Sequence, residues 1–171
     1  MILGFGHPLR RDDSVGLRII EDLALTEISE HADLVSCGTE LINLLHLFKN
    51  RPAVVLIDAV DFKKPHGTIL RRVCPGDDVT FLESDEIDSH GTNLKLCFSV
   101  LKLINIKVPF VLLYGIQPKE MGFGQELTGI VHRAKDRLIL QLLQDKPWIN
   151  PTLLNDVILY YNEDTNEWRE K

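Results

Sequence analysis

Three side chains that bind metals and transfer protons stand near the ends of predicted elements. Asp13 lies at the start of the first helical pattern, Asp58 ends an aliphatic run, and His90 precedes a helix. Ligand sites in parallel α/β sheets lie at the carboxyl ends of the strands, so we expect the three side chains at one edge. Two carboxylates and one imidazole suit a divalent metal with open coordination positions, and without thiolates they do not suggest a closed zinc site.

Each of these residues also has a structural interpretation. Asp12 or Asp13 is a plausible N-cap for the first helix, although one carboxylate is enough for that role. A carboxylate at Asp58, directly after a buried strand, needs a cation, a hydrogen-bond donor or a proton. A single histidine at an element junction is more often a surface residue than a ligand. The common position of all three favours a functional site.

Two glycines begin a pattern that nucleotide-binding proteins share. Gly4 and Gly6 follow the first apolar run, as in a dinucleotide-binding fingerprint. Leu9 replaces the third glycine, Pro8 lies within the loop, and residues 12–13 are acidic where a pyrophosphate requires positive potential. A tight turn between strand and helix is the simpler interpretation, and a nucleotide-binding α/β module stays an alternative.

The elements that must position these residues alternate between short apolar runs and helical patterns. We predict strands at 1–5, 34–36, 53–57, 67–74 and 110–114, and helices at 13–25, 40–49, 92–104 and 126–144. This alternation predicts an α/β single domain: a mostly parallel, twisted five-stranded sheet with one antiparallel edge strand and helices on both faces. Arg71 and Arg72 make the segment 67–74 the expected edge strand.

The composition changes near the C-terminal end of the chain. Residues 1–146 are predicted to form the α/β domain, and residues 147–171 a C-terminal extension. Asn150 and Pro151 suggest the start of a short helix that continues to Tyr161. A polar, charged tail is expected after that helix.

Length and composition restrict the class of protein. The chain has 171 residues and a net charge of −6, which does not favour a nucleic-acid-binding protein. We see no signal segment and no apolar run long enough to span a membrane, so we expect no membrane insertion and a cytoplasmic location. Cys37, Cys74 and Cys97 are too few and too scattered for a disulfide framework and are expected to be unbridged.

Residues 4–16 (GFGHPLRRDDSVG) resemble the opening motif of the nickel–iron hydrogenase maturation endopeptidases. That motif is a strand, then Gly-x-Gly-Asn, then an acidic pair and a glycine. Further similarities follow in order across residues 1–145, at positions 37–40, 56–59, 89–92, 114–118, 124 and 127–128. The ordered set is more specific than any single match.

The resemblance implies a fold, an activity and site residues. The family has a five-stranded α/β fold and removes a short C-terminal extension from the nickel-loaded precursor of the hydrogenase large subunit. The resemblance implies that Asp13, Asp58 and His90 bind the metal. Asp13 and Asp58 are also the candidate catalytic residues, one of them as general base, and the sequence does not identify which. The turn at Gly38 and Thr39 matches a glycine-rich loop beside the cleft and is expected to bind substrate.

Three positions depart from the family pattern, one of which is Ser14, where a small residue is usual. His7 stands where asparagine is usual, close enough to the site to bind substrate or to add a ligand, and Arg11 stands where glycine is common. We expect the precursor to supply the nickel, and another divalent metal to be possible in the isolated protein, which we expect to be a monomer. A non-catalytic nickel-binding checkpoint for the precursor is a second alternative.

Overall fold

The fold is known from a computed structural model of the chain. It describes residues 1–38, 41–74, 88–89, 94–147, 149–162, 165 and 167–170, without the side chains of 41–43, 88–89, 94–98 and 162.

The described residues form one eight-stranded mixed sheet. The strands are β1 (Ile2–Gly4), β2 (Leu34–Ser36), β3 (Ala53–Asp61), β4 (Ile69–Cys74), β5 (Asp88–Ser89), β6 (Phe110–Ile116), β7 (Val157–Asn162) and β8 (Glu167–Glu170). The main order is β2-β1-β3-β6-β4-β7-β8, and the short β5 pairs with the end of β3. The α/β class and the helices on both faces are confirmed, whereas the predicted number of five strands is too low.

The sheet has a parallel half and an antiparallel half. Strands β2, β1, β3 and β6 run parallel, while β4 pairs antiparallel with β6. β4 is not the edge strand that its arginines suggested, because β7 pairs with its other side and β8 follows. Arg71 and Arg72 are accommodated there by ion pairs to Asp145 and Asp156.

In the described ranges, three α-helices connect or flank the strands: α1 (Val15–Leu23), α2 (Leu94–Leu103) and α3 (Gly129–Asp145). The predicted helix at 40–49 is a 3-10 helix, Leu41–Phe48, and a further 3-10 helix, Arg11–Ser14, precedes α1. The N-cap of α1 is therefore Ser14, and neither Asp12 nor Asp13 caps it. Among the described residues, no helix is long and apolar enough to cross a membrane.

The two faces of the sheet are covered by separate hydrophobic cores. On β3, Val55 and Ile57 face the core shared with α1 and α3, while Val54 and Leu56 face the core that contains Phe48. This alternation explains the unbroken aliphatic run of β3, because both of its faces are buried. Burying each such side chain contributes about 1.5–3 kcal/mol.

The C-terminal segment completes the sheet. The predicted helix begins at Pro151 but ends at Leu153, and β7 occupies the positions expected to be helical. Leu159 of β7 is buried in the core of α1 and α3, and Trp168 of β8 packs against that core. The expected tail therefore includes a strand of the sheet.

Candidate active site

The ends of three parallel strands meet where the chain leaves β1. The Phe5 N–H donates to the Ile57 carbonyl at 2.8 Å, beyond the end of β1. The Gly6 N–H donates to the Gly38 carbonyl at 3.3 Å, just after β2. These bonds hold the start of the loop 5–13 against the carboxyl edge of β2 and β3.

Two glycines allow the start of α1 to pack tightly on this edge. A Cβ on Gly16 would lie 2.3 Å from the Phe5 carbonyl oxygen and 2.5 Å from that of Ile57. Gly6 has φ +135°, and a Cβ there would lie 1.8 Å from the Asp13 carbonyl oxygen. Only glycine fits these contacts, which place Gly16 against Ile57 of β3 and the backbone of Asp13 against Gly6.

Asp13 and Asp58 are both nearly buried in this region. Their relative exposures are 4% and 2%. Asp58 does not follow the end of a strand, as predicted, but lies within β3, which continues to Asp61. One oxygen of Asp13 accepts the His7 N–H at 3.0 Å, and within the described part of the chain this is the carboxylate's single hydrogen bond. A buried carboxylate with so few donors is stabilised by a bound cation, as a metal or a substrate group supplies.

The neighbouring residue, Asp12, has a different environment that we call the Asp12 anchor. Its buried carboxylate accepts the N–H groups of Lys119, Glu120 and Thr128 at 2.9, 2.8 and 2.7 Å. The Thr128 hydroxyl donates to it as well, at 2.9 Å. Four donors satisfy this carboxylate, so Asp12 is a structural residue that joins the loop 119–128 to the loop 5–13.

The ring of His7 is not prepared to act as a metal ligand. Its Nδ1 accepts the Leu9 N–H at 3.1 Å. The neutral ring therefore carries its proton on Nε2, which leaves neither nitrogen free as a ligand. The contact of His7 with Asp13 is made by its backbone, and the predicted substrate-binding role of its side chain stays a prediction.

Among the other predicted site residues, Gly38 belongs to the described part of the chain. Gly38 is exposed, and a Cβ on it would have no atom within 4 Å among the described residues, so the turn leaves space beside the loop. Thr39 and His90 lie outside the described residues. Within the described residues no group of three or more His, Cys, Asp or Glu side chains is placed to hold a metal ion. The predicted ligand set therefore stays a prediction.

The loop 5–13 does not have the features of a phosphate-binding loop. Its backbone N–H groups donate to internal acceptors, including the Asp13 carboxylate. Phosphate loops instead direct free N–H groups at the ligand. The nucleotide-binding alternative therefore has no support in the geometry of this loop.

Cys37 lies next to the site but is not a nucleophile. Burial raises the pKa of its thiol to about 11, so the thiol is protonated near neutral pH. Cys37 and Cys74 are buried and unbridged, as predicted, whereas the side chain of Cys97 lies outside the described residues.

Sequence analysis did not identify the Asp12 anchor. In the sequence, the residue that could have indicated this anchor is Thr128. It lies at one of the positions that resemble the family, but the resemblance gave it no role. Thr128 occupies the N-cap of α3 but makes no side-chain cap, because its hydroxyl donates to Asp12. The buried Gln117, which joins the ends of β3 and β6, was also missed.

The fold and the site define an α/β protein with two buried carboxylates at the carboxyl edge of a mixed sheet. Comparison with known proteins agrees with this class. A family model described as hydrogenase maturation protease matches residues 17–145. The chain therefore belongs to the hydrogenase maturation protease family, whose members are peptide-bond hydrolases.

Relatives and solved structures agree with this family. A hydrogenase expression/formation protein from Thiocapsa roseopersicina is 30% identical over 74% of the chain, which spans 58% of that relative's length. Hydrogenase 2 maturation protease of Escherichia coli is 27% identical, over 84% of the chain and 87% of its own length. The fold is similar to that of the hydrogenase maturating endopeptidase HybD from E. coli, with a TM-score of 0.71 and 23% identity over 92% of this chain and 95% of that one.

Proposed function

We propose that the chain is an endopeptidase that removes a short C-terminal extension from the nickel-loaded precursor of a nickel–iron hydrogenase large subunit. The observation that carries the proposal is the pair Asp13 and Asp58, buried at one edge of the sheet in a chain of this protease family. Carboxylate oxygens bind divalent metals, and an aspartate can also accept a proton.

Nickel arrives in this proposal as part of the substrate. Asp13, Asp58 and His90 offer it ligands and thereby select a precursor that is already loaded. Bound nickel supplies positive charge that polarises the scissile carbonyl or a water molecule. Asp13 or Asp58 then accepts the proton of the attacking water and returns it to the leaving amine. Gly38 and Thr39 border the bound peptide.

The geometry of Asp13 supports its proposed roles as a metal ligand and a proton acceptor. The His7 N–H fixes one carboxylate oxygen, which orients the side chain without neutralising its charge. The 3-10 helix that carries Asp13 is held to the loop 119–128 by the hydrogen bonds of the Asp12 anchor. A carboxylate held in this way keeps its position when a substrate enters.

The decisive experiment compares a nickel-loaded precursor with the same precursor lacking nickel. We expect intact-mass spectrometry to show loss of one short C-terminal peptide from the loaded form alone. Binding of the loaded precursor without a change in mass would favour the checkpoint alternative. Equal cleavage of both forms would refute nickel-dependent selection.

A variant at His90 tests the third ligand. We expect His90→Ala to abolish processing of the loaded precursor while leaving the melting temperature unchanged. Processing at the parental rate would remove His90 from the site.

The proposed monomer is tested separately, by size-exclusion chromatography of the parental protein with light scattering. The absence of a disulfide at Cys37 and Cys74 supports the proposed location in the cytoplasm.

A further inference from the structure

A basic cleft opens at the same edge of the sheet, beside the ends of β3 and β6. It has a volume of about 380 Å³, and its walls come from the loops 61–66 and 117–121. Its basic lining residues are Lys63, Lys64, His66 and Lys119. We call it the basic cleft.

The charges in the basic cleft are only partly compensated. Asp61 pairs with Lys63. In the part of the chain that the structure describes, Lys64 and Lys119 have no carboxylate within 4 Å of the ammonium group. Two lysines without a described carboxylate partner line one cleft and favour a positive potential there. This local potential contrasts with the net charge of −6 of the whole chain.

Hydrogen bonds hold the walls of the basic cleft together. The buried Gln117 accepts the N–H groups of Phe62 and Lys64 at 3.0 and 3.3 Å, and its amide donates to Asp61 at 3.1 Å. His66 Nδ1 donates to the Pro118 carbonyl at 2.8 Å. The backbone that carries both lysines is therefore fixed before a ligand binds, which lowers the entropy lost on binding.

The basic cleft lies within reach of a peptide bound at the candidate active site. Asp61 is three residues beyond Asp58 on β3, which is about 10 Å of extended strand. On the other wall, the N–H of Lys119 is bound by Asp12, the residue before Asp13. An extended substrate whose scissile bond lies near Asp58 spans the same distance with about three residues.

We propose that the basic cleft binds a carboxylate of the precursor, about three residues from the scissile bond, through Lys64 and Lys119. The inference rests on the proposed function, because a protein substrate supplies its negative charge as carboxylates. The carboxylate belongs either to an Asp or Glu side chain or to the C-terminus of the extension.

A binding experiment tests the cleft without any cleavage. Three acetylated pentapeptides are titrated into the ¹⁵N-labelled protein: AAEAA-amide, AAQAA-amide and AAAAA with a free C-terminal carboxylate. We expect amide shifts in residues 61–66 and 117–121 with AAEAA-amide or with the free carboxylate, and none with AAQAA-amide. The peptide that binds identifies the source of the carboxylate. Equal shifts with AAQAA-amide, or no shifts with any peptide, would overturn the proposal.

A kinetic experiment with the loaded precursor separates this proposal from the proposed function. We expect the double variant Lys64→Glu/Lys119→Glu to raise KM at least tenfold and to change kcat less than twofold, with a smaller rise in KM for the double glutamine variant. The matched control is Lys49→Glu/Lys107→Glu, which changes net charge equally at the opposite edge of the sheet. An equal rise in KM for the control would refute the cleft, whereas absence of cleavage by the parental protein would refute the proposed function.

Discussion

Asp12 and Asp13 are neighbours in one 3-10 helix, and both are buried, but their surroundings differ. Asp12 accepts four hydrogen bonds from the loop 119–128. Asp13 accepts one from the described residues, and its 3-10 helix packs beside β3, the strand that carries Asp58. Burial alone therefore does not distinguish these two carboxylates, whereas the number of described donors around each of them does.

The largest effect is expected from removing the charge at the site. We predict that Asp13→Asn and Asp58→Asn each reduce the rate of precursor processing by at least about 100-fold, because they lose a metal ligand and a proton acceptor. The folded state should lose little stability, since the amide keeps the shape of the carboxylate and removes a buried charge. Cleavage rates and melting temperatures measure the two effects separately.

The same substitution one residue away should have the opposite outcome. In Asp12→Asn, the new amide group opposes donors from Lys119, Glu120 or Thr128. We predict that the free energy of unfolding falls by about 2–4 kcal/mol, as measured by urea denaturation. Cleavage by the protein that remains folded should change less than fivefold.

Asp33→Asn serves as the control for both variants. Asp33 is exposed and pairs with Arg51, so its loss is expected to cost less than about 1 kcal/mol and to leave cleavage unchanged. If Asp12→Asn and Asp13→Asn lose stability and activity to the same extent, the distinction between the two carboxylates is wrong.

The thiol of Cys37 shows what burial does to an ionisable group that has no cation beside it. Its pKa rises to about 11 in the folded protein, from about 9 in the unfolded chain. The unfolded chain then loses this proton at lower pH, so the free energy of unfolding should decrease as pH rises from about 9 to 11. Urea denaturation across this range should show a steeper decrease for the parental protein than for Cys37→Ala; equal slopes would contradict the assignment.

The smallest effect is expected beside the Asp12 anchor, at Arg11. Its φ of +32° lies in a region that favours glycine, the residue that the family commonly has there. Arg11→Gly relieves this strain but loses the exposed ion pair to Glu120 at 2.7 Å. We predict a net change in stability within about 1 kcal/mol, measured by thermal unfolding. A decrease of more than about 2 kcal/mol in the free energy of unfolding would mean that the ion pair between Arg11 and Glu120 is needed to hold the two loops together.

The parallel half of the fold was predictable because its signals are local. The aliphatic run of β3 and the strand at 34–36 were found with correct starting residues, although β3 extends to Asp61. In the antiparallel half β4 was predicted as an antiparallel strand, but β7 and β8 were not, because β7 depends on pairing with β4, about 90 residues earlier. At the site, Asp58 was singled out because it follows the aliphatic run, although the strand continues past it. The roles of Asp12 and Gln117 depend on partners distant in sequence.

The position of β4 has a consequence for synthesis of the chain. β4 pairs with β6 on one side and with β7 on the other, and β7 is made 41 to 46 residues after β6 ends at Ile116. At roughly 5–20 residues per second, one side of β4 stays open for several seconds on the ribosome. Arg71 and Arg72 are the charged residues that protect an open strand against pairing with another nascent chain. They mark β4 as an edge strand of the growing chain, although the finished sheet covers that edge.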